Sequence, residues 1–282
     1  MPQTVRIITD SACDLPDDIV RELGIEVVPL FIRFGSDELV DREQLSTAEF
    51  WNRCATQSEL PSTAAPSPGR FEQAINKAVA EGATGVVVIN ISDALSGTHQ
   101  SAKVAAGNLA GTVDVRVVDT RTVTMGQGAI AVACARAARD GADTDTVEAL
   151  ARSLSARCKV WGALDTLENL KKGGRIGGAK AMLASVLSIK PIIEVRDGIV
   201  QEGGKQRTRS KAIAFIIDKV RESVAGPGIS QLCVMHADCS DVDSFIAQLH
   251  EVYPGEILIG EIGAVVGTHA GRGTIGVAFF EN

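Results

Sequence analysis

The chain has 282 residues, of which 45% are hydrophobic and 22% are charged, and its net charge at pH 7 is −7. This composition is typical of a globular protein, and the length favours two domains over a single core. The acidic balance argues against a general nucleic-acid or anionic membrane surface, and an aromatic content of 4% argues against a base-stacking platform. No apolar run is long enough to span a membrane, so we expect no stable membrane insertion.

Strand-like and helix-like patterns alternate through the first half of the chain. Runs of β-branched residues predict strands over 5–10, 25–34, 85–91 and 113–118. Helices are predicted to begin at Pro16 and at Ser46 or Thr47, where Ser46 and Glu49 have the spacing of a capping box. Further helices are predicted over 68–80, 96–106, 128–139 and 146–155. This alternation predicts an N-terminal α/β domain over residues 1–155, built on a largely parallel and covered sheet.

The pattern changes near residue 156, where strands and helices no longer alternate regularly. Strands are predicted over 159–163, 231–236, 257–262 and 277–280, and helices over 164–171, 179–188, 211–223 and 242–252. Two further strands, 189–195 and 199–203, are predicted to form a hairpin around Asp197-Gly198, a common two-residue turn. These elements predict a C-terminal α+β domain over residues 156–282, with a ligand cleft between the two domains.

The cysteines predict reduced thiols. The chain has six of them, and none forms a Cys-x-x-Cys pair or a zinc-finger spacing. Most have apolar neighbours, as Cys134 and Cys233 do, where a thiol packs as a small hydrophobic group. The sequence opens in a strand pattern, so we expect no signal peptide. We therefore expect a cytoplasmic protein with no metal and no cofactor.

Three short polar clusters carry most of the functional information, at 61–67, 95–98 and 267–273. Each supplies hydroxyls or an imidazole beside proline or glycine residues, which stiffen the backbone or let its amides approach a ligand. Together the clusters predict a site for one small anionic group, such as a carboxylate.

Ser96, Gly97 and Thr98 follow a predicted strand and open a helix. The first amides of a helix are free donors at the positive end of its dipole, and ligands of open α/β sheets bind at the carboxyl ends of strands. Ser96 would add a hydroxyl donor, and Gly97 has no side chain to block the approach of a ligand. Alternatively, Ser96 or Thr98 is a plain N-cap that binds the amides of its own helix.

The other two clusters also allow two interpretations each. Ser62 and Thr63 lie in a loop stiffened by prolines, where their hydroxyls either face a ligand or make local turn bonds. His269 lies in a glycine-rich loop in which no helix is expected to persist. Its imidazole can donate to an anion and titrate near neutrality, or it can bond neighbouring carbonyls.

A serine hydrolase or acyl transferase is an alternative function, with Ser96 as nucleophile and His269 as base. The Gly-x-Ser-x-Gly elbow is absent, because Ala94 stands at the first glycine position, and no acidic third member is identifiable. The basic runs at 171–175 and 205–211 are either solvated faces or docking surfaces for an acidic partner.

The order of these motifs resembles that of the DegV family of fatty-acid-binding proteins, also called FakB proteins. The resemblance covers essentially the whole chain and rests on Thr9-Asp10-Ser11, Pro-Ser-Thr at 61–63, Leu-Ser-Gly-Thr at 95–98, Lys-Lys-Gly-Gly-Arg at 171–175 and Gly-x-His-x-Gly-x-Gly at 267–273. It implies a non-enzymatic carrier that buries a long-chain fatty acid between an N-terminal α/β domain and a C-terminal α+β domain. It also implies a partner, a dihydroxyacetone-kinase-like fatty acid kinase, which converts the presented carboxylate to acyl-phosphate for phospholipid synthesis.

The resemblance implies two sets of site residues. The carboxylate-binding set is Thr63, Ser96 and His269, with Ser62, Gly97 and Thr98 in secondary roles. The kinase-facing set is Arg175 and Arg207.

Two departures from the family pattern bear on the ligand. Ala64-Ala65 stand where the family loop has Ser-Gln, and Ala270 and Arg272 stand where the family ending has Thr and Pro. Loss of a hydroxyl at each place is expected to weaken or alter headgroup binding. Arg272 either adds a cation near the carboxylate or points outward. A carrier of a different small anion is therefore a third possible function.

Overall fold

The structure, a computed structural model, describes residues 4–57, 59–184 and 189–282. The elements of the first half are β1 (Val5–Asp10), α1 (Asp17–Leu23), β2 (Glu26–Val28), β3 (Phe31–Phe34), β4 (Asp37–Val40), α2 (Thr47–Thr56), β5 (Ser62–Ala64), α3 (Pro68–Ala80), β6 (Gly85–Asn90), α4 (Thr98–Asn108), β7 (Asp114–Asp119), α5 (Met125–Arg139) and α6 (Thr144–Arg157). Those of the second half are β8 (Cys158–Ala163), α7 (Glu168–Lys172), β9 (Lys190–Arg196), β10 (Ile199–Gln206), α8 (Arg209–Ala225), β11 (Ile229–His236), α9 (Val242–His250), β12 (Ile257–Glu261), α10 (Ala264–Ala270) and β13 (Ile275–Glu281). Short 3₁₀ segments lie at Ser11–Cys13 and Gly177–Ala184.

The strands form three sheets, and they confirm the predicted mixed α/β class. A parallel sheet with the order β2-β1-β6-β7 lies in the first half, and its strand β6 is buried along its whole length. A six-stranded sheet in the second half has the order β10-β9-β8-β13-β11-β12, in which β11 and β12 are parallel and the other pairs antiparallel. A small antiparallel sheet has the order β4-β3-β5.

Helix α5 joins the two halves of the molecule. It contacts β1 and β6 of the parallel sheet and β8, β11 and β13 of the six-stranded sheet, and its residues from Met125 to Val132 are all buried. Its small residues permit close approach on both sides. A Cβ at Gly128 would lie 2.6 Å from the carbonyl oxygen of Cys13 in the first half, and one at Gly126 would lie 2.9 Å from Val160 Cγ2 on β8. One apolar core contains residues of both halves. The domain boundary between residues 155 and 156 falls near the end of α6 and remains a prediction.

Two predictions about the small sheet are wrong. The strand predicted over 25–34 is two strands, because β2 pairs with β1 whereas β3 pairs with β4 and β5. Pro29 lies between β2 and β3 and has no N–H to donate, so the ladder breaks there. The loop predicted over 61–66 also contains a strand, since β5 pairs with β3 and places Thr63 opposite Ile32.

The prediction that no helix persists at 267–273 is also wrong, because α10 extends into this segment. Gly267 serves close packing here, since a Cβ at this position would lie 2.7 Å from the Trp51 ring. The helix ends at Gly271, whose φ of 83° favours glycine. His269 is therefore held on the last helical turn, and its position is fixed by the packing of α10.

The remaining predicted elements are present, with ends that differ by a few residues. The hairpin of β9 and β10 turns at Asp197 and Gly198, whose φ values of 56° and 81° suit a type I′ turn. The helix predicted over 179–188 is a 3₁₀ segment over Gly177–Ala184, and residues 185–188 lie outside the described residues. In the part of the chain that the structure describes, no helix is long and apolar enough to cross a membrane.

Candidate functional site

An apolar cavity of about 80 Å³, here called the central cavity, lies where the carboxyl ends of the parallel strands meet the six-stranded sheet. Its polar residues are Thr63, Ser96, Arg175 and His269. Its apolar wall is formed by Leu30, Ile91, Leu95, Val123, Leu170, Ile193, Val195, Val200, Val265, Val266 and Ala270. The structure thus brings Thr63, Ser96 and His269, which are far apart in sequence, into one cavity together with Arg175.

Thr63 and His269 are in direct contact in the central cavity. Strand β5 contacts α10, and Thr63 Oγ1 lies 3.0 Å from His269 Nε2, which is a hydrogen-bond distance. Ser62 precedes Thr63 on the same strand and is exposed, because successive side chains of a strand point to opposite faces. The Thr63 hydroxyl therefore lines the cavity, and the Ser62 hydroxyl does not.

The His269 imidazole is neutral at pH 7. Burial, with a smaller contribution from the Arg175 guanidinium, lowers the pKa of His269 to about 4. The prediction that this imidazole titrates near neutrality is therefore wrong. Gly173 closes the Nδ1 side of the ring, since a Cβ at this position would clash with Nδ1.

The hydrogen bond with Thr63 indicates which ring nitrogen of His269 carries the proton. A neutral imidazole has one N–H, and Nδ1 is buried without a hydrogen-bond partner among the described residues. An N–H on Nδ1 would therefore be left unpaired, which is unfavourable. We assign the proton to Nε2, which donates to Thr63 Oγ1. The Thr63 hydroxyl hydrogen is then free to donate to an acceptor in the central cavity.

Ser96 lines the central cavity and also makes local hydrogen bonds at the start of α4. Its Oγ lies 2.8 Å from Thr98 Oγ1 and accepts from the Thr98 amide at 3.4 Å. Thr98 is fully buried and Gly97 is exposed, and neither lines the cavity. Gly97 rather than Ser96 is the N-cap residue of α4, and it makes no side-chain cap hydrogen bond. Ser96 makes local bonds just before this helix and faces the cavity, and its role toward a ligand stays a prediction.

Arg175 connects the two halves of the chain beside the central cavity. Its Nε donates to the carbonyl oxygen of Leu95 at 3.0 Å, and its Nη1 donates to that of Gly173 at 2.8 Å. Leu95 precedes α4 in the first half, whereas Gly173 follows α7 in the second. The other terminal nitrogen, Nη2, keeps its donors for further acceptors. Arg207 is exposed before α8 and does not line the cavity.

The residues that depart from the family pattern add no cation to the central cavity. Arg272 is ion-paired with Asp238 and does not line the cavity, so the structure favours its outward-pointing alternative. Ala64 and Ala65 do not line the cavity either, and Ala270 contributes a methyl group to its wall.

The groups of a serine hydrolase are not assembled among the described residues. His269 Nε2 is hydrogen-bonded to Thr63 rather than to Ser96, and no carboxylate of a described residue forms a hydrogen bond with the imidazole. A nucleophilic serine needs a base that is itself oriented by a third group. Within residues 4–57, 59–184 and 189–282 there is also no cluster of three or more His, Cys, Asp or Glu side chains that could hold a metal.

Sequence reasoning misses Asp14, which positions the helix that carries His269. Asp14 Oδ1 accepts from the Gly263 amide at 2.9 Å, just before α10, and its Oδ2 accepts from Thr124 Oγ1 at 2.6 Å. Burial raises the pKa of Asp14 to about 7, although these hydrogen bonds oppose the rise. The surrounding sequence, Cys13-Asp14-Leu15-Pro16, has the form of an ordinary helix-start signal and does not reveal this role.

Fold and site together define an α/β protein with a second, mixed sheet and an apolar cavity that ends in hydroxyl, imidazole and guanidinium groups. The family model described as "Uncharacterised protein, DegV family" matches residues 4–282. A DegV domain-containing protein from Deinococcus radiodurans is 36% identical over 277 residues, and one from Streptomyces coelicolor is 35% identical over 281 residues; each match covers 98% of both chains. The chain therefore belongs to the DegV family.

Solved structures of this family share the fold. A DegV family protein from Thermus thermophilus, described as fatty-acid-binding, is 32% identical, and the match covers 100% of both chains with a TM-score of 0.90. DegV from Bacillus subtilis, described as a fatty acid binding protein, is 26% identical with a TM-score of 0.86, over 99% of this chain and 100% of its own. The fold class and the family resemblance are thereby confirmed.

Proposed function

We propose that this protein is a non-enzymatic carrier that buries a long-chain fatty acid and binds its carboxylate at Thr63, Ser96 and His269. The observation that supports this most directly is the Thr63–His269 hydrogen bond at the polar end of an apolar cavity. The similar proteins from Thermus thermophilus and Bacillus subtilis are described as fatty-acid-binding, which supports the same ligand class here.

The polar groups of the central cavity suit a carboxylate, which accepts several hydrogen bonds. Thr63 donates its hydroxyl hydrogen because His269 Nε2 already donates to its oxygen. Ser96 provides a second hydroxyl, which Thr98 orients from outside the cavity. His269 is neutral, so Arg175 supplies the positive charge through its Nη2. In this proposal His269 orients Thr63, and Arg175 balances the charge of the ligand.

The apolar wall of the central cavity suits an acyl chain, since each buried methylene contributes about 0.8 kcal/mol. The volume of about 80 Å³ is small compared with the roughly 300–1,000 Å³ of sites that enclose a drug-sized ligand. The walls must therefore move apart when a long chain enters. The hydrogen bond of Arg175 to Leu95 connects the two halves of the chain beside the cavity, and breaking it would permit this movement.

The carrier role implies a partner that uses the carboxylate, and we propose a dihydroxyacetone-kinase-like fatty acid kinase that forms acyl-phosphate. Arg175 is exposed at the cavity, next to the exposed Lys171 and Lys172, and Arg207 is exposed elsewhere in the second half. Arg175, Lys171 and Lys172, which are close in sequence, offer a basic surface to an acidic partner face, and Arg207 offers a separate cation. The six free thiols support a reducing compartment, so we place this exchange in the cytoplasm.

Mass spectrometry of the purified protein, native and then denatured with organic extraction, tests the proposed ligand. We expect a stoichiometric long-chain fatty acid, and we expect palmitate to stabilise the delipidated protein against heat. A protein that carries no lipid and gains no stability from palmitate would contradict the proposal. Turnover of acyl esters that is lost in Ser96→Ala would contradict its non-enzymatic part.

A further inference from the structure

A second cavity of about 500 Å³, here called the arginine cavity, lies where β1 begins and where α1 and α5 end. It lies at the amino ends of the parallel strands, whereas the central cavity lies at their carboxyl ends. Arg6 of β1, Arg21 of α1 and Arg139 of α5 line it. These cations are grouped together in a chain whose net charge is −7.

The guanidinium groups of the arginine cavity have no partner among the described residues. Within the described ranges, none of the three forms an ion pair or a side-chain hydrogen bond, and Glu22, which also lines the cavity, pairs with none of them. By contrast, the exposed Arg152 is paired with Glu148. The Nε of Arg6 is in addition buried and has no acceptor in the part of the chain that the structure describes. A buried donor without an acceptor is unfavourable, so this N–H indicates a missing acceptor.

Helix dipoles explain only part of this arrangement. Arg21 and Arg139 lie in the last turns of their helices, where a cation is favourable beside the free carbonyls. Arg6 lies on strand β1, so no helix dipole stabilises its charge in this way. Its guanidinium lies over Gly24, where a Cβ would be 3.2 Å from Arg6 Nη1. Gly24 thus leaves space for the Arg6 side chain to extend along the floor of the cavity.

We propose that the arginine cavity binds the phosphate group of a phosphate-bearing ligand. Guanidinium groups bind phosphate oxygens through paired N–H donors, and three of them supply more donors and more charge than one carboxylate can use. The volume of about 500 Å³ lies within the usual range of small-molecule sites, roughly 300–1,000 Å³. The phosphate belongs either to a soluble phosphorylated molecule or to a phospholipid headgroup. The site is independent of the fatty-acid site and of its proposed function.

The first test compares stability with and without inorganic pyrophosphate at constant ionic strength. The melting temperature of the wild-type protein rises with pyrophosphate, as ligand linkage requires. Arg6→Met removes the unpaired Nε–H but keeps an apolar stem, so its melting temperature without pyrophosphate equals or exceeds that of the wild type and does not rise with pyrophosphate. If Arg6 has only a structural role, Arg6→Met has a lower melting temperature than the wild type and responds to pyrophosphate as the wild type does. That result, or a wild-type protein that does not respond, overturns the proposal.

The second test separates a built site from general attraction of anions. The double variant Arg21→Gln/Arg139→Gln weakens pyrophosphate binding at least about tenfold, the size of one lost charged hydrogen bond. The control Arg152→Gln/Arg221→Gln removes the same charge from arginines that are already paired, and it retains the affinity. Equal losses in the two double variants overturn the proposal.

Vesicles distinguish the two sources of phosphate. Vesicles of phosphatidylglycerol and phosphatidylcholine are sedimented separately with the wild-type protein and with each double variant. Binding that is lost in Arg21→Gln/Arg139→Gln and kept in the control assigns the site to a phospholipid headgroup. Pyrophosphate binding without sedimentation assigns it to a soluble phosphorylated molecule. A wild-type protein that does not bind pyrophosphate overturns the proposal whatever the vesicles show. It leaves the fatty-acid assignment untouched, since that assignment depends on the carboxyl ends of the strands.

Discussion

Replacing Thr63 with valine removes one hydroxyl from the central cavity and keeps the shape of the side chain. This hydroxyl accepts from His269 Nε2 at 3.0 Å, and in the proposed complex it also donates to the carboxylate. The variant loses both hydrogen bonds. A hydrogen bond to a charged group contributes about 1.5–3 kcal/mol, so we expect the affinity for palmitate to fall by a factor of about 10 to 150.

The same substitution also lowers the stability of the protein without ligand. His269 Nε2 loses its acceptor in Thr63→Val, and a buried donor without a partner costs about 1–3 kcal/mol of unfolding free energy. Isothermal titration calorimetry with palmitate measures the first effect, and urea unfolding of the delipidated protein measures the second. Ser62→Ala is the matched control, because Ser62 is exposed on the same strand and its hydroxyl does not line the cavity.

Two results would refute this reasoning. If Thr63→Val binds palmitate as tightly as the wild type, the carboxylate does not lie at the Thr63–His269 pair. If Ser62→Ala loses as much affinity as Thr63→Val, the effect comes from β5 as a whole and not from a hydroxyl directed into the cavity.

Three further predictions concern pH and the surroundings of His269. Burial raises the pKa of Asp14 from 3.8 to about 7, so the stability that protonated Asp14 contributes is lost as the pH rises between these values. The unfolding free energy of Asp14→Asn, measured in urea, should therefore change less with pH over this range. An unchanged pH profile would contradict the shift. The pKa of the buried His269 is lowered from 6.5 to about 4, so stability falls as the pH drops through this interval. His269→Ala should remove that fall. It should also weaken transfer of the fatty acid to a partner kinase, measured as phosphorylation, more than it lowers stability at neutral pH; unchanged phosphorylation would contradict this role. Gly173→Ala places a Cβ against His269 Nδ1 and should weaken palmitate binding in calorimetry, whereas Gly97→Ala, with nothing within 4 Å, should not; equal behaviour of the two would show that the ring position is unimportant.

The elements that sequence predicts well are those with local signals. The helix predicted over 68–80 has the bounds of α3, since Pro68 suits the first turn and Gly82 follows the end. The buried strand β6 follows from its run of valines, because a strand covered on both faces needs apolar residues throughout. Neither depends on a distant partner, so sequence alone is sufficient for both.

The features that sequence predicts poorly depend on distant contacts. Thr63 and His269 are separated by 206 positions. The polar clusters alone predict a shared anion site, and the family resemblance implies these two residues in it, but no spacing predicts their direct contact. The helix at His269 persists because Gly267 packs against Trp51, whereas a run of glycines alone predicts a loop. The low pKa of His269 arises from burial, which the residues next to it in sequence do not reveal. The pairing of β5 with β3 is equally non-local.

Helix α5 has a consequence for how this molecule can be divided. Its segment from Met125 to Val132 is buried because sheets of both halves pack on it. A fragment that ended at the predicted boundary between residues 155 and 156 would expose the face of α5 that covers β8, β11 and β13, and a contiguous apolar face of this kind promotes aggregation. Two sheets that share one helix in this way should melt together, in a single calorimetric transition, although the architecture has two parts.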